Sequence, residues 1–384
     1  MKVGGVWLTD PRCQRVFSLL SDKGFQAFVV GGAVRDAALG MVVGDVDFAT
    51  DARPERVMEL ANSAGIGAVP TGIDHGTVTL VVDGAGFEVT TYRRDVQTDG
   101  RRAVVAFADD METDARRRDF TMNALYADAE GRVSDPIGGW QDAMARHVRF
   151  IDDAETRIRE DALRILRFFR FAAWFGAPEG GIDADGLAAC ATLGELVDDL
   201  SAERVGHEMR KLLSAPDPAP ALAAMGACGV LARVAPGAQV AMVAPLVAVE
   251  GRRAPDWMRR LVVMGVTDEV IDWRLSKAEA KELARLRAAL DADESVAASA
   301  YRHGVRAAEN AALIRAASLG HAADNLADEL SRGAAQSFPV RSSDILDRFG
   351  QGPRLGRALT AMKEDWIASD FSLSKQELID RLNR

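Results

Sequence analysis

The sequence is poor in the residues on which several common chemistries depend. It has three cysteines, Cys13, Cys190 and Cys228, which are far apart and form no CxxC pair. That excludes a disulfide framework and points to a reducing cytosol. The five histidines are isolated, with no HExxH and no His-Asp doublet, so neither a zinc site nor a histidine-based hydrolase has support. No apolar run approaches the ~20 residues of a membrane span, and the opening MKVGGVWLTDPRCQRV lacks a signal-peptide core. A cytoplasmic protein without a membrane partner is expected. Positive charge is also in deficit: 47 Lys and Arg face 57 Asp and Glu, a formal charge of −10. Such a balance argues against a surface that coats long nucleic acids nonspecifically. A local basic cleft stays open, because arginines cluster at Arg116, Arg117 and Arg118 and again at Arg157, Arg159, Arg164, Arg167 and Arg170.

With 48% hydrophobic and 27% charged residues, what remains is ordinary globular sequence, and 384 residues are long for one core. The first third alternates strands and helices. Phe28–Val30 reads as a strand, Ala33–Leu39 as a helix, Val46–Ala49 as a strand and Pro54–Ala64 as a helix, with further strands at Thr77–Val82 and Phe87–Thr91. From about Ile151 strand signals nearly vanish, and helices are expected, interrupted at Pro216–Pro220, Pro236–Gly237 and Gly350–Pro353. The fold class expected is α+β, a mixed-sheet head followed by helices.

The sharpest local feature is DVDFAT. In a strand, Asp45 and Asp47 would share one face while Val46 and Phe48 turn to the core. Two such carboxylates either hold a cation, for which oxygen-only ligands suit Mg²⁺, or form a solvated strand edge. Upstream, VVGGAVRDAALG reads as strand, Gly31-Gly32, then helix. The glycines allow a sharp turn and close approach of a ligand. The helix N-terminus offers free N–H groups to an anion, and Arg35 adds charge one turn in. A plain strand–helix turn would look the same, but the order of this element before the DxD favours a phosphate cradle beside metal ligands. In FEVTTYRRD, Glu88 falls on the polar face of its strand; it either completes a three-carboxylate cluster or is an exposed glutamate.

These pieces resemble the polymerase-β-like nucleotidyltransferases. RRRDFTMNALY, DPIGGWQD, RIREDALRILRFFRFAAWFG and SAERVGHEMRKLL narrow the likeness to the bacterial class II CCA-adding enzymes and their close relatives, the bacterial poly(A) polymerases. The resemblance is collinear over roughly the first 215 residues. It implies a nucleotidyltransferase head at 1–148, a helical neck at 149–215 and a helical body and tail for tRNA at 216–384. It also implies Mg²⁺ at Asp45 and Asp47, with Glu88 helping to activate a hydroxyl, and ribose contacts from Arg118, Asp119 and Asn123. In the neck, Asp161 and Arg164 are three apart, which on one helix face describes either a surface ion pair or, by the resemblance, a template made of side chains. Asp161 would accept from the exocyclic amine of C or A, and Arg164 would donate to the ring. Arg167 and Arg170 would orient that pair or contact phosphate.

The implied reaction is addition of CCA to tRNA lacking that end, from CTP and ATP, with no obligate protein partner. Poly(A) addition, or partial CC or A addition, is the alternative. Bacterial poly(A) polymerases typically carry basic extensions, and the chain as given has none, which favours a compact RNA substrate. Residues Asp95–Asp110 resemble the family's flexible loop, with Asp99-Gly100-Arg101 at its centre. His75 is expected to stabilise a turn, Trp140 and Trp174 to belong to the core, and GQGPRLGRAL to resemble a tail segment near phosphate.

Overall fold

The alternating first third becomes a mixed sheet in the computed structural model, which describes residues 1–98, 103–267, 271–320 and 325–382. Its strands are β1 (Phe28–Val30), β2 (Asp47–Thr50), β3 (Gly67–Gly72), β4 (Thr77–Val82), β5 (Ala85–Thr91), β6 (Arg93–Thr98), β7 (Ala103–Phe107), β8 (Tyr126–Ala127) and β9 (Val133–Ser134). Seven of them form one sheet in the order β3-β4-β5-β2-β1-β8-β9, and β6-β7 is a separate hairpin. Only β2 and β5 run parallel, with Phe48 opposite Val89.

That register matters for function. Phe48, Val89, Val78 and Leu80 are buried, so the alternation of a pleated strand turns Asp47 and Glu88 together to the opposite face. The buried face is covered by two amphipathic helices, Pro11–Ser21 and Pro54–Ser63. The first buries Cys13, Val16, Phe17 and Leu20, an i, i+3, i+4, i+7 stripe, and its N-terminus is capped by the Asp10 carboxylate. Phe17 meets Phe48 edge to face at 4.8 Å between ring centres. Cys13 and Cys190 are buried free thiols, and burial pushes the Cys13 thiol up to about 12.

Among the described residues no strand follows Ser134. The helices Ala154–Glu160, Leu163–Phe175 and Ala202–Leu213 complete the site-bearing part. Leu163–Phe175 joins the strand region through an aromatic stack: Phe120 lies 4.8 Å from Phe171 and 5.0 Å from Phe150, and Phe150 stacks on Phe168. The chain divides into two compact units, Met1–Ala238 and Gln239–Arg384. The second is helical. One of its cores gathers Trp366, Ile367, Met362 and Val340, and a buried ion cluster sets Arg259 and Arg260 around Glu250.

Several expectations need correction. β2 begins at Asp47, so Asp45 precedes the strand and the two aspartates do not share one strand face. The segment 95–110 is a hairpin at its base, not a loop throughout: β6 and β7 pair from Arg93↔Phe107 outward. Asp99, Gly100 and Arg101 lie outside the described residues. The motif RIREDALRILRFFR is two helices, broken at Asp161 (φ −153°, ψ 106°). The Asp161 carboxylate accepts from its neighbour's backbone, Leu163 N, at 3.1 Å, a local bond that competes with helix continuation.

DPIGGWQD acquires a physical reason. Asp135 accepts from the backbone N–H groups of Gly139 (2.8 Å) and Trp140 (3.0 Å), holding the start of a short helix. At Gly139 a Cβ would lie 2.0 Å from the Thr121 carbonyl oxygen, so only glycine lets this helix press against the Thr121–Asn123 turn. Gly139→Ala should therefore cost roughly 1–3 kcal/mol, the usual range for forced overpacking, read as a lower urea midpoint. Because Asn123 sits on the displaced turn, its hydrogen bonds to Arg35 and Asp119 should be disturbed in the same variant.

Candidate active site

The strand–Gly-Gly–helix element sets one wall. Gly31 takes φ 73°, ψ −121° as the N-cap of helix Gly32–Ala38, a conformation that side-chain-bearing residues rarely adopt. A Cβ there would lie 3.4 Å from Arg118 Nη1. Arg118 is held from behind: its Nη2 donates to Asp114 (2.9 Å) and its Nε to the Tyr126 hydroxyl (3.3 Å), which itself donates to Asp114 (2.7 Å). Asp114 also pairs with Arg117 at 2.7 Å. Burial works against the Asp114 charge, but the guanidinium groups of Arg118 and Arg117 hold the carboxyl well below the usual range.

Arg35 is not a free cation one turn into the helix. It is buried, donates to Asp36 (2.7 and 2.9 Å) and to Asn123 Oδ1 (2.6 Å), and stacks over Phe175 at 3.7 Å. Burial lowers its pKa despite Asp36. Asn123 in turn donates to Asp119 Oδ1 at 2.9 Å, the same oxygen that accepts from Phe120 N. The other Asp119 oxygen accepts from Arg167 of the Leu163–Phe175 helix, with Nε at 2.8 Å. Arg170 pairs instead with Glu208, buried on the Ala202–Leu213 helix, at 2.5 Å.

Asp161 and Arg164 do not pair with each other. Both Asp161 oxygens accept from Arg204 (2.9 and 2.8 Å). Arg164 is tied to Glu160 (2.6 Å) and to the carbonyls of Arg157 (2.9 Å) and Arg117 (3.0 Å). The helix break after Glu160 swings the two side chains to different partners while both still line one cavity.

That cavity measures about 580 Å³ and brings together Gly31, Gly32, Arg35, Asp45, Asp47, Arg118, Asp119, Asn123, Asp161, Arg164 and Arg167. Glu88 and Arg170, also expected at the site, are not among its lining residues. Glu88 shares the sheet face with Asp47, as the β2–β5 register requires. Asp36, Arg117, Phe171 and Lys211 line it without having been expected.

The carboxylates fit a hard divalent cation in charge and donor type. Asp47 opens to solvent, yet surrounding protein excludes enough water to push its carboxyl up to about 6, with Glu88 and Asp45 adding to the shift and Arg118 opposing it. Such unbalanced negative charge is what a cation would relieve. Among the described residues no three His, Cys, Asp or Glu side chains gather closely enough to hold a metal by themselves, so the expected three-carboxylate cluster does not form. Two carboxylates, with water and substrate phosphates completing the shell, are the arrangement Mg²⁺ commonly takes.

Comparison with known proteins places this geometry. Residues 27–149 match the family described as "Poly A polymerase head domain", and residues 181–242 match "Probable RNA and SrmB- binding site of polymerase A". A CCA-adding enzyme of Geobacillus kaustophilus is 32% identical over 383 residues, covering 94% of this chain and 93% of that one. This chain belongs to the CCA-adding enzyme family. The crystal structure of the Bacillus stearothermophilus CCA-adding enzyme in complex with CTP superimposes with a TM-score of 0.78 at 29% identity, covering 97% of each chain. The human mitochondrial CCA tRNA nucleotidyltransferase 1 is 38% identical over 215 residues, 54% of this chain and 50% of that protein. The chain is thus an enzyme of the CCA-adding type, with the head fold of the nucleotidyltransferases.

The partners that hold the expected residues in place, Asp114, Tyr126 and Arg204, were not singled out from sequence. Asp114 and Tyr126 flank RRRDFTMNAL, and only their burial distinguishes them. Arg204 lies 43 positions from Asp161, beyond the reach of any local pattern.

The Asp119 carboxyl gives a pH prediction. Burial opposes its charge, but Arg167 and the hydrogen bonds from Asn123, Arg167 and Phe120 hold it down to about 2. A carboxyl depressed in the folded state stabilises the fold above its unfolded pKa of about 4 and loses that contribution as pH falls towards 2. Wild-type stability should therefore drop by on the order of 2 kcal/mol across that window from this group. Asp119→Asn should be destabilised at pH 7 and show a shallower acid limb, measured by urea unfolding at stepped pH.

Proposed function

We propose that this enzyme adds CCA to the 3′ end of tRNA lacking it, taking CTP twice and then ATP by divalent-metal-assisted nucleotidyl transfer. The observation that supports this reading best is the single cavity lined both by Asp45 and Asp47 and by Asp161 and Arg164. A cation-binding pair and a pair able to read a base edge are within reach of one nucleotide. The solved relative that carries CTP adds support.

In this reading the tRNA 3′-oxygen forms a bond to the α-phosphorus, the bond from that phosphorus to the β-bridging oxygen breaks, and pyrophosphate leaves. Divalent ions held by Asp45 and Asp47 would supply Lewis-acid charge, acidifying the hydroxyl and neutralising the leaving group. The chain's own residues position the reactants. The backbone N–H of Gly32, at the start of the Gly32–Ala38 helix, would face the triphosphate, while that of Gly31 is given to the Leu125 carbonyl oxygen at 3.1 Å. Arg118, clamped by Asp114 and Tyr126, adds fixed positive charge. Asp119 and Asn123 offer an acceptor and a donor to the ribose hydroxyls. Glu88, beside Asp47 on the sheet face, adds negative charge that would draw the ions.

Base choice falls to Asp161 and Arg164. A carboxylate has about four acceptor positions, so the Arg204 contacts orient Asp161 and still leave a lone pair for the amine of C or A. G and U place a carbonyl there, which would meet a second acceptor. Arg164 donates to the base with N–H groups its protein partners do not use. The second unit would hold the RNA: Arg354 and Arg357 are exposed at the start of helix Pro353–Ala368, without an ion-pair partner among the described residues, and a Cβ at Gly350, Gly352 or Gly356 would meet nothing within 4 Å.

The test is incubation with tRNA transcripts ending before CCA, and separately with unstructured RNA, each with CTP, ATP or both. Growth by three nucleotides on tRNA alone is expected; long A tracts on either RNA would instead indicate a poly(A) polymerase. In the same assay Asp45→Ala or Asp47→Ala should abolish C and A addition alike.

A second prediction isolates the template. Asp161→Ala removes the amine acceptor and leaves the phosphate contacts intact. Since an unpaired buried polar atom costs ~1–3 kcal/mol, preference for C and A over U and G should fall by roughly one to two powers of ten. The readout is kcat/KM for all four nucleotides on one truncated tRNA. A common slowing of all four would reduce Asp161 to a structural partner of Arg204.

A further inference from the structure

Six cations line the cavity: Arg35, Arg117, Arg118, Arg164, Arg167 and Lys211. Each arginine is committed to a protein carboxylate: Arg35 to Asp36, Arg117 and Arg118 to Asp114, Arg164 to Glu160, and Arg167 to Asp119. Lys211 differs. It is exposed, and among the described residues its ammonium has no ion-pair or hydrogen-bond partner. From the geometry we propose that Lys211 is a phosphate-binding residue of the reaction cavity, reaching in from the Ala202–Leu213 helix. The assignment rests on the cavity taking a nucleoside triphosphate.

The position of Lys211 is fixed rather than incidental. Its helix is tied to the neighbouring helices at three levels: Arg204 to Asp161 (2.8 Å), Glu208 to Arg170 (2.5 Å), and the Lys211 carbonyl to Trp174 Nε1 (2.8 Å). Seven residues of helix carry Lys211 about 10 Å past Arg204, away from the base-selecting end. Side chains on a helix lean towards its N-terminus, which brings the ammonium back towards Phe171, another lining residue. Phe171 is covered by Arg35 at 5.1 Å, one turn into the helix that begins at Gly32. Arg170 and Arg167 also cover Phe171, at 4.7 and 5.3 Å, and the free cation shares its cavity with the Gly31–Gly32 turn. An ammonium on a flexible stem is a point charge with three rotatable donors, suited to a phosphate group that changes as pyrophosphate leaves. Phosphate oxygens reach the cavity from two sources, the incoming triphosphate and the RNA 3′ end; the cavity shared with Gly31 and Gly32 favours the triphosphate.

The test uses the full chain carrying Lys211→Met or Lys211→Arg. Cytidine, CMP, CDP and CTP are titrated calorimetrically without RNA, and addition kinetics are then measured on truncated tRNA. Lys211→Met should weaken CTP by roughly tenfold, the scale of one charge-assisted contact, with less effect on CDP and none on cytidine or CMP. Lys211→Arg should restore most of the affinity. The melting temperature should move little, because the side chain is exposed and its ammonium holds no ion pair or hydrogen bond among the described residues. If CTP affinity holds while KM for tRNA rises and the salt dependence of RNA binding weakens by about one ion, the phosphate-binding role stands and the phosphate belongs to the RNA. Unchanged behaviour towards both substrates would overturn the proposal, as would an equal loss for all four ligands, cytidine included. A wild-type protein that binds none of the four would overturn the cavity reading itself, and this assignment with it.

Discussion

Two walls of the cavity meet at the Asp119 carboxylate. One oxygen accepts from Phe120 N and Asn123, whose own carbonyl oxygen accepts from Arg35; the other accepts from Arg167. This produces a chain, Arg35–Asn123–Asp119–Arg167, buried except at its half-buried Arg167 end, that runs from the Gly-Gly helix to the Leu163–Phe175 helix. A charge taken out of water is tolerable only when paired, and removing one partner of a buried pair costs ~3–5 kcal/mol. The spacing of the two walls is therefore set by a pairing requirement, and the Phe120 stack beneath it supplies the apolar contact that keeps water out.

The same requirement explains how a chain of net charge −10 can handle polyanions. The arginine clusters are largely spent inside the protein, on Asp114, Asp119, Glu160 and Glu208. What they contribute is rigidity and oriented N–H groups rather than a broad positive field. Among the described residues, the cavity-lining charges left without an ion pair are few: Asp45, Asp47 and Lys211. A polarised chamber of this kind favours a ligand that carries its own cation and a triphosphate tail over indiscriminate binding to RNA.

Much of this was legible in the sequence where the signal is local. β1 and β4 were read residue for residue, because apolar or β-branched runs bounded by turn residues carry their own evidence. β3 was not: Gly67–Gly72 includes Pro70 and two glycines, composition that an edge strand tolerates and a propensity reading dismisses. β8 and β9 are two residues each, too short for any periodicity. The β6–β7 hairpin reads as loop because β6 (RRDVQT) is polar and carries no alternation, which leaves the short apolar β7 (AVVAF) without an evident partner. The break at Asp161 escaped notice for another reason. Helical spacing on both sides is good, and the decision is made by one side chain bonding its own backbone and by Arg204 far along the chain.

In the proposed reading, that break explains how side chains could serve as a template. Reading a base by hydrogen bonds requires acceptor and donor held to a fraction of an ångström by side chains that are themselves held. Within one continuous helix, Asp161 and Arg164 would be surface neighbours free to neutralise each other. Ending one helix at Glu160 and starting the next at Leu163 forbids that pairing. Asp161 is committed to Arg204, and Arg164 to Glu160 and two carbonyls, so neither can turn to the other without giving up bonds already made. Each side chain remains partly open to the cavity, and the base edge is left as the partner that both still lack.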